Sequence, residues 1–374
     1  MNQQLAAELM GQFAERTGLT GEQPPDRYLW TDAFAVCNFL GLAETTGDDH
    51  QRKLAFQLAD QVHGVLGRHR PEDERTGPIS GLSEDEARNH PTAGGLRIGK
   101  KLPERAPDTP YDPRLEWDRD GQYFHYLTKW MHALEKLGQV TGEADYHRWA
   151  AELAKTAHEA FTQTRPGGQT GMVWKMSIDL SRPLVPAMGQ HDPLDALVTE
   201  LQIQTSDHNN VGPDLSEQID QAAAMCSRIS LATEDPLGIG GLLTDVGRVA
   251  ELTADRGVDG GPLLRQLLEE TRRSLSVFSA TFQPDQPAQT RLAFRELGLA
   301  IGLSAVERAR QFASDDATLR SAFDALQEHR PLAEAVRVFW SDRAHRTNPT
   351  WTDHEDINAV MLATSLAPEG YLGL

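Results

Sequence analysis

Apolar residues at spacings of three and four recur along the whole chain, while alternating β-branched runs are nearly absent. That pattern predicts helices throughout and an all-α class. The predicted helices are of two kinds, and the two kinds alternate. One kind has a single apolar stripe and a charged face, as in Leu54, Leu58, Val62 and Val65, or Trp149, Leu153, Ala157 and Phe161, which fits helices with one side in solvent. Leu5 to Phe13, Ser216 to Ile229, Pro262 to Phe278 and Leu319 to Phe339 read the same way. A break is expected in the last of these at Pro331, whose ring and missing N–H interrupt a helix.

The other kind is apolar nearly all round and rich in Gly and Ala, the composition of helices enclosed on several sides and closely packed. Six such segments are present: Ala33 to Ala43, Tyr123 to Leu137, Leu194 to Ile203, Leu237 to Leu252, Leu292 to Val306 and Ile357 to Leu366. Most open on polar or aromatic residues, namely Trp30-Thr31-Asp32, Trp117-Asp118-Arg119-Asp120, His191-Asp192, Arg291 and Trp351-Thr352-Asp353. Such residues cap exposed N–H groups. The three Trp-centred starts look like divergent copies of one unit.

Six enclosed helices alternating with six amphipathic ones predict a two-layer closed ring whose inner helices all begin on one face. This resembles the (α/α)6 toroid of the six-hairpin glycosidases and N-acylglucosamine 2-epimerases, over nearly the whole chain and at the level of helix pattern. The resemblance implies one domain over residues 1–374 and a sugar-acting enzyme. About fifty residues, roughly 69–121, interrupt the pattern, far beyond a usual connection of about 4 to 6. They include Gly94-Gly95, Pro103, Pro107, Pro110 and Pro113, a mixture suited to an ordered, irregular flap. A shorter loop, Pro166 to Met188, falls on an equivalent connection, so both are expected where the inner helices begin.

Composition narrows the function. The formal net charge of −19 argues against nucleic acid or an anionic membrane as partner, since phosphate binding needs clustered Lys and Arg. No run of about 18 apolar residues occurs, and Met1 to Thr17 reads as an amphipathic helix rather than a leader. The two cysteines, Cys37 and Cys226, sit in apolar helical patterns, which suits a reducing cytoplasm. The pattern is compatible with a homo-oligomer and does not require one.

Acids at the inner-helix starts are the first candidates for chemistry: Asp32, Asp118, Asp120, Asp192, Asp353, Glu355 and Asp356. A ring would bring them around one cavity, giving the paired carboxylates of glycoside hydrolysis; the same residues serve equally as N-caps. Histidine offers a second chemistry, through His191, His354 and His125. In the epimerases this chain resembles, two cavity histidines exchange the proton at a sugar carbon, one of them on the last inner helix. His354 matches that place and His191 is the available partner, on the third inner helix rather than the fourth. Trp30, Trp117 and Trp351 could stack on a pyranose or wedge the helix starts. The cations Arg88, Arg97, Lys100, Lys101 and Arg105 suggest a flap closing on a carboxylate, phosphate or sulfate.

The preferred reading is a glycoside hydrolase using Asp32 and Asp120 on a short sugar, an anionic one included, with Arg97, Lys100, Arg105, His125, Asp192 and Asp353 binding it. A cofactor-free epimerase or isomerase using His354 with His191 is the second reading, and a non-catalytic sugar-binding toroid the third. No cofactor is expected. No metal is expected either, because His191-Asp192, Asp207-His208 and Asp353-His354-Glu355 lack the close two-histidine spacing of helical zinc sites.

Overall fold

The computed structural model describes residues 2–164, 167–207, 211–313 and 316–373; Pro166 and His208 lie outside the described residues. All six segments read as enclosed are helices: α2 (Leu29–Thr46), α4 (Phe124–Thr141), α6 (Asp192–Ser206), α8 (Pro236–Asp255), α10 (Ala293–Ala309) and α13 (Glu355–Leu366). Between them run the amphipathic helices α1 (Asn2–Arg16), α3 (Asp49–Leu66), α5 (Ala144–Phe161), α7 (Ser216–Cys226), α9 (Gly261–Thr281), α11 (Ala317–Gln327) and α12 (Arg330–Ser341). The break expected at Pro331 falls just before it, and α12 restarts with the proline in its first turn, where no N–H is needed.

The chain divides into two compact units, one of Met1–Phe13, Gly41–Asp48 and Ser230–Leu374, the other of Ala14–Leu40 and Asp49–Ile229. In the first, α8 and α10 touch backbone to backbone. A Cβ on Gly240 would stand 2.2 Å from the Gly298 carbonyl oxygen, and one on Gly302 only 2.4 Å from that of Gly240; glycine is what lets these helices approach. Nearby, the Arg291 guanidinium forks onto the Glu296 carboxylate at 2.9 and 2.6 Å and lies 3.7 Å over the Phe339 ring. The Trp340 indole N–H also donates to Glu296, at 2.8 Å, and Trp351 stacks on Trp340 with ring centroids 5.7 Å apart.

The second unit packs α4 against α5 and α6 around a buried His158–Glu200 pair, 2.7 Å apart. It also contains short antiparallel strands: Gln122–Tyr123 pairs with Lys175–Met176, which pairs with Pro183–Val185, and Thr162–Thr164 pairs with Thr170–Met172. Strands of two or three residues are too short to show alternation. Trp117 does not open α4 directly; it sits in a separate short helix, Pro113–Asp118, and the strand at Gln122–Tyr123 comes between.

Candidate active site

The starts of α2, α4 and α6 in the second unit hold the largest gathering of sequence-predicted site residues. The long loop is fixed to them by Asp120. This side chain is completely buried; its Oδ2 accepts from Arg97 at 2.9 Å and Arg70 at 3.2 Å, and its Oδ1 from the Gly99 and Gly121 N–H groups at 3.0 and 3.1 Å. The loop backbone then accepts the first N–H of α2, Leu29 donating to the Ile98 carbonyl at 3.0 Å, while Ile98 donates to Gly121 at 2.8 Å. Gly99 has φ +92°, and a Cβ there would lie 2.1 Å from the Arg27 carbonyl oxygen, so this crossing needs glycine.

A second buried anchor is Glu116. The Lys175 ammonium, fully buried, donates to the Glu116 carboxylate at 2.9 Å and to the Glu116 and Arg119 carbonyls at 2.7 and 2.8 Å. Burial pushes the Lys175 pKa down while Glu116 works the other way. Arg105 donates to Glu116 at 2.9 Å and to the Leu184 carbonyl at 3.1 Å.

The two anchors hold an aromatic wall. The Tyr28 and Tyr126 hydroxyls are hydrogen-bonded at 2.7 Å, and burial pushes the Tyr28 pKa up to about 12. Trp30 packs on Tyr126 at 6.4 Å between centroids. Trp174 contacts Trp117 at 5.5 Å and Tyr123 at 4.9 Å, and lies nearly parallel to His125, 8° between planes at 6.2 Å. Trp117 is half exposed, and His125, Tyr126 and Trp174 are partly so. The Lys100 ammonium stands 5.2 Å from the Trp117 ring centre and 5.7 Å from that of Tyr28.

At one edge of this wall, His125 Nδ1 is 3.6 Å from Oδ1 of Asp192, the first residue of α6. The other oxygen of Asp192 is buried without a hydrogen-bond partner among the described residues. One turn on, burial works against the charge of Asp195, but Lys129 at 3.0 Å outweighs it and holds the carboxyl below its ordinary range, with His125 and His191 acting in the same direction. Among the described residues, no three His, Cys, Asp or Glu side chains converge as a metal site.

The other predicted residues take different places. Asp32 is buried in the first turn of α2, accepting from the Tyr28 N–H at 2.9 Å with Arg27 3.5 Å away. Arg97 is buried and its donors go to Asp120 and to the Arg68 and Val65 carbonyls, so it is a brace for the loop rather than a free cation. His191 is partly exposed at the N-cap of α6. Trp351, Asp353 and His354 belong to the other unit: Trp351 is buried in its stack, Asp353 and His354 are exposed, and the His354 ring lies 6.1 Å from Phe294. Sequence reasoning missed Tyr28, Tyr123, Tyr126 and Trp174. A signal existed, since Tyr28 and Tyr123 flank the same helix starts and Trp174 lies in the second loop expected on that face.

No family model matches the chain, and no curated protein matches it in sequence. Among solved structures it is similar to an inactive variant of the alpha-1,6-mannanase of Salegentibacter sp. HEL1_6 in complex with alpha-1,6-mannotetrose, with a TM-score of 0.57 and 12% identity over 98% of this chain and 99% of that one. The chain has the (α/α)6 fold. The cellobiose 2-epimerase from Spirochaeta thermophila shares it, with a TM-score of 0.52 and 12% identity over 98% of both chains. In this (α/α)6 protein, then, the helix starts and the long loops build the aromatic wall.

Proposed function

We propose that this (α/α)6 protein is a carbohydrate-active enzyme, a glycoside hydrolase that takes a short sugar against the wall of Tyr28, Tyr123, Tyr126, Trp117 and Trp174. The observation that carries the reading is the His125–Asp192 pair at the edge of that wall: ring faces suit the apolar face of a pyranose, and a carboxyl with an unused buried oxygen stands beside them. Glycoside hydrolysis needs one carboxyl to protonate the leaving oxygen and a second to activate water or attack the sugar carbon. Asp192 and Asp118 fill these places, with His125 orienting Asp192. Asp118 is exposed at the end of its short helix, and its charge reaches both Lys100 and Tyr123. Asp32 and Asp120, buried in their own ion pairs, hold the wall in position.

The fold shared with a mannanase and with an epimerase supports sugar chemistry of either kind. Epimerisation is the second reading, favoured by the imidazoles of His125 and His191, which both act on Asp195; there they would move the proton at a sugar carbon. The burial of both cysteines, Cys37 and Cys226, supports a cytoplasmic location.

The test is incubation with a panel of oligosaccharides in heavy water. Hydrolysis yields new reducing ends without carbon-bound deuterium, and Asp192→Asn or Asp118→Asn lowers turnover about a hundredfold or more, the scale of lost acid–base catalysis. Carbon-bound deuterium in recovered sugar, abolished by His125→Gln, would establish epimerisation instead. Binding without turnover would leave a sugar-binding toroid.

A further inference from the structure

Five cations of the long loop are charged groups on an acidic chain, and the structure accounts for four of them. Arg88 pairs with Asp85 on an exposed short helix, Arg97 is spent on Asp120 and two carbonyls, Arg105 on Glu116 and Leu184, and Lys101 points into solvent. Lys100 is different. It is only partly exposed and its ammonium has no hydrogen bond or ion pair among the described residues, yet it hangs over the Trp117 and Tyr28 rings of the wall.

Its backbone leaves little freedom. The Lys100 carbonyl accepts from Arg70, the preceding N–H of Gly99 donates to Asp120, and Leu102 donates to the Asp118 carbonyl and accepts from the Asp120 N–H. Burial lowers the pKa of Lys100, Lys175 lowers it further, and Asp118 and Asp120 act against that through space. Ring faces compensate a desolvated ammonium only in part, and a half-buried charge without a hydrogen-bonded partner is costly. A second polar group on the same wall also lacks a hydrogen-bond partner among the described residues, the buried hydroxyl of Tyr123. A cation and a hydroxyl donor beside stacking rings make a site for a ring that bears an anion.

We infer that the sugar taken by this wall carries an anionic substituent, a carboxylate or a phosphate ester, seated against the Lys100 ammonium. The inference rests on the proposed sugar site and names its substrate class. Lys100 is a binding residue here: it fixes the ring on the wall by its substituent, leaving the sugar carbons toward Asp192 and His125.

The experiment is calorimetric titration of the full chain with D-glucuronate, D-galacturonate and mannose 6-phosphate against D-glucose, D-galactose and D-mannose, at low and at high salt. The expected result is that at least one anionic sugar binds about tenfold or more tightly than its neutral counterpart, the scale of one charge-assisted hydrogen bond. That preference shrinks in salt and vanishes in Lys100→Gln while the neutral sugar's affinity stays. Uronates preferred over the phosphate ester would assign a carboxylate, and the reverse a phosphate. Equal affinities for neutral and anionic sugars in the wild-type protein would overturn the inference and leave the sugar site standing. Failure of every sugar to bind would overturn both.

Discussion

Arg97 Nη1 lies 2.9 Å from Oδ2 of Asp120, and both side chains are buried, with 8% and 0% of their surfaces exposed. An acid that the sequence places beside a tryptophan at a helix start is therefore the fixed point of a loop. Arg70 joins the same oxygen, and two backbone N–H groups take the other. Removing one partner of a buried ion pair leaves the remaining charges uncompensated, which costs about 3–5 kcal/mol.

Asp120→Asn should accordingly lower the urea midpoint strongly, by an amount corresponding to about 3 kcal/mol, because it leaves the buried Arg97 guanidinium without a carboxylate and Arg70 with Glu72 alone. Any activity lost should return as the variant is stabilised by low temperature or osmolyte. An Asp120→Asn protein with wild-type melting and a turnover about a hundredfold lower would instead make Asp120 the catalytic acid that the sequence pattern suggests.

Which features could be read from the sequence follows from their range. The enclosed helices were legible because each is apolar on every side over ten or more residues, and the break before Pro331 because one residue causes it. The roles of Asp120 and Trp117 were not, since each depends on a distant partner. Asp120 is a lock because Arg70, fifty residues earlier, reaches it. Trp117 and Trp351 open similar motifs, yet Trp117 is half exposed beside Trp174 while Trp351 is buried against Trp340. Local pattern can place such residues at helix starts but cannot tell a stacking face from a wedge.

His63 gives a pH dependence. Its Nε2 accepts from the Trp130 indole N–H at 3.2 Å, and its ring meets Trp130 and Trp149 edge to face. Burial lowers its pKa to about 3, so the folded protein keeps it neutral while the unfolded chain protonates it near its ordinary value of about 6.5. The folded pKa is depressed, so the stability it contributes is complete above about 6.5 and is lost as pH falls from there towards 3. Because His63 keeps part of its surface exposed, the loss between pH 7.5 and 5.5 should be up to about 1 kcal/mol. Urea unfolding at the two pH values should show it, and His63→Gln, which keeps an acceptor for Trp130, should reduce the difference. An identical pH dependence in wild type and variant would show that this ring does not stay neutral.

The last helix tests whether residues 1–374 fold as one domain, which we propose as the natural state of this (α/α)6 chain. In α13, Val360, Met361 and Leu362 are buried, and Asn358 ties the helix to its surroundings, accepting from the Phe294 N–H at 3.0 Å and donating to the Trp351 carbonyl at 3.0 Å. Full burial of one such apolar side chain is worth about 1.5–3 kcal/mol, so these three alone match much of the roughly 5–15 kcal/mol by which a domain is stable. Their removal also uncovers the faces of α10 and α12 that pack on α13, together with Trp340. Deleting residues 351–374 should therefore give insoluble or largely unfolded protein, and the intact chain should melt in one transition whether followed by tryptophan fluorescence or by helical circular dichroism. If the truncated chain instead stays monomeric and well folded over residues 14–40 and 49–229 with an unchanged melting temperature, the two units fold independently and the single-domain proposal fails.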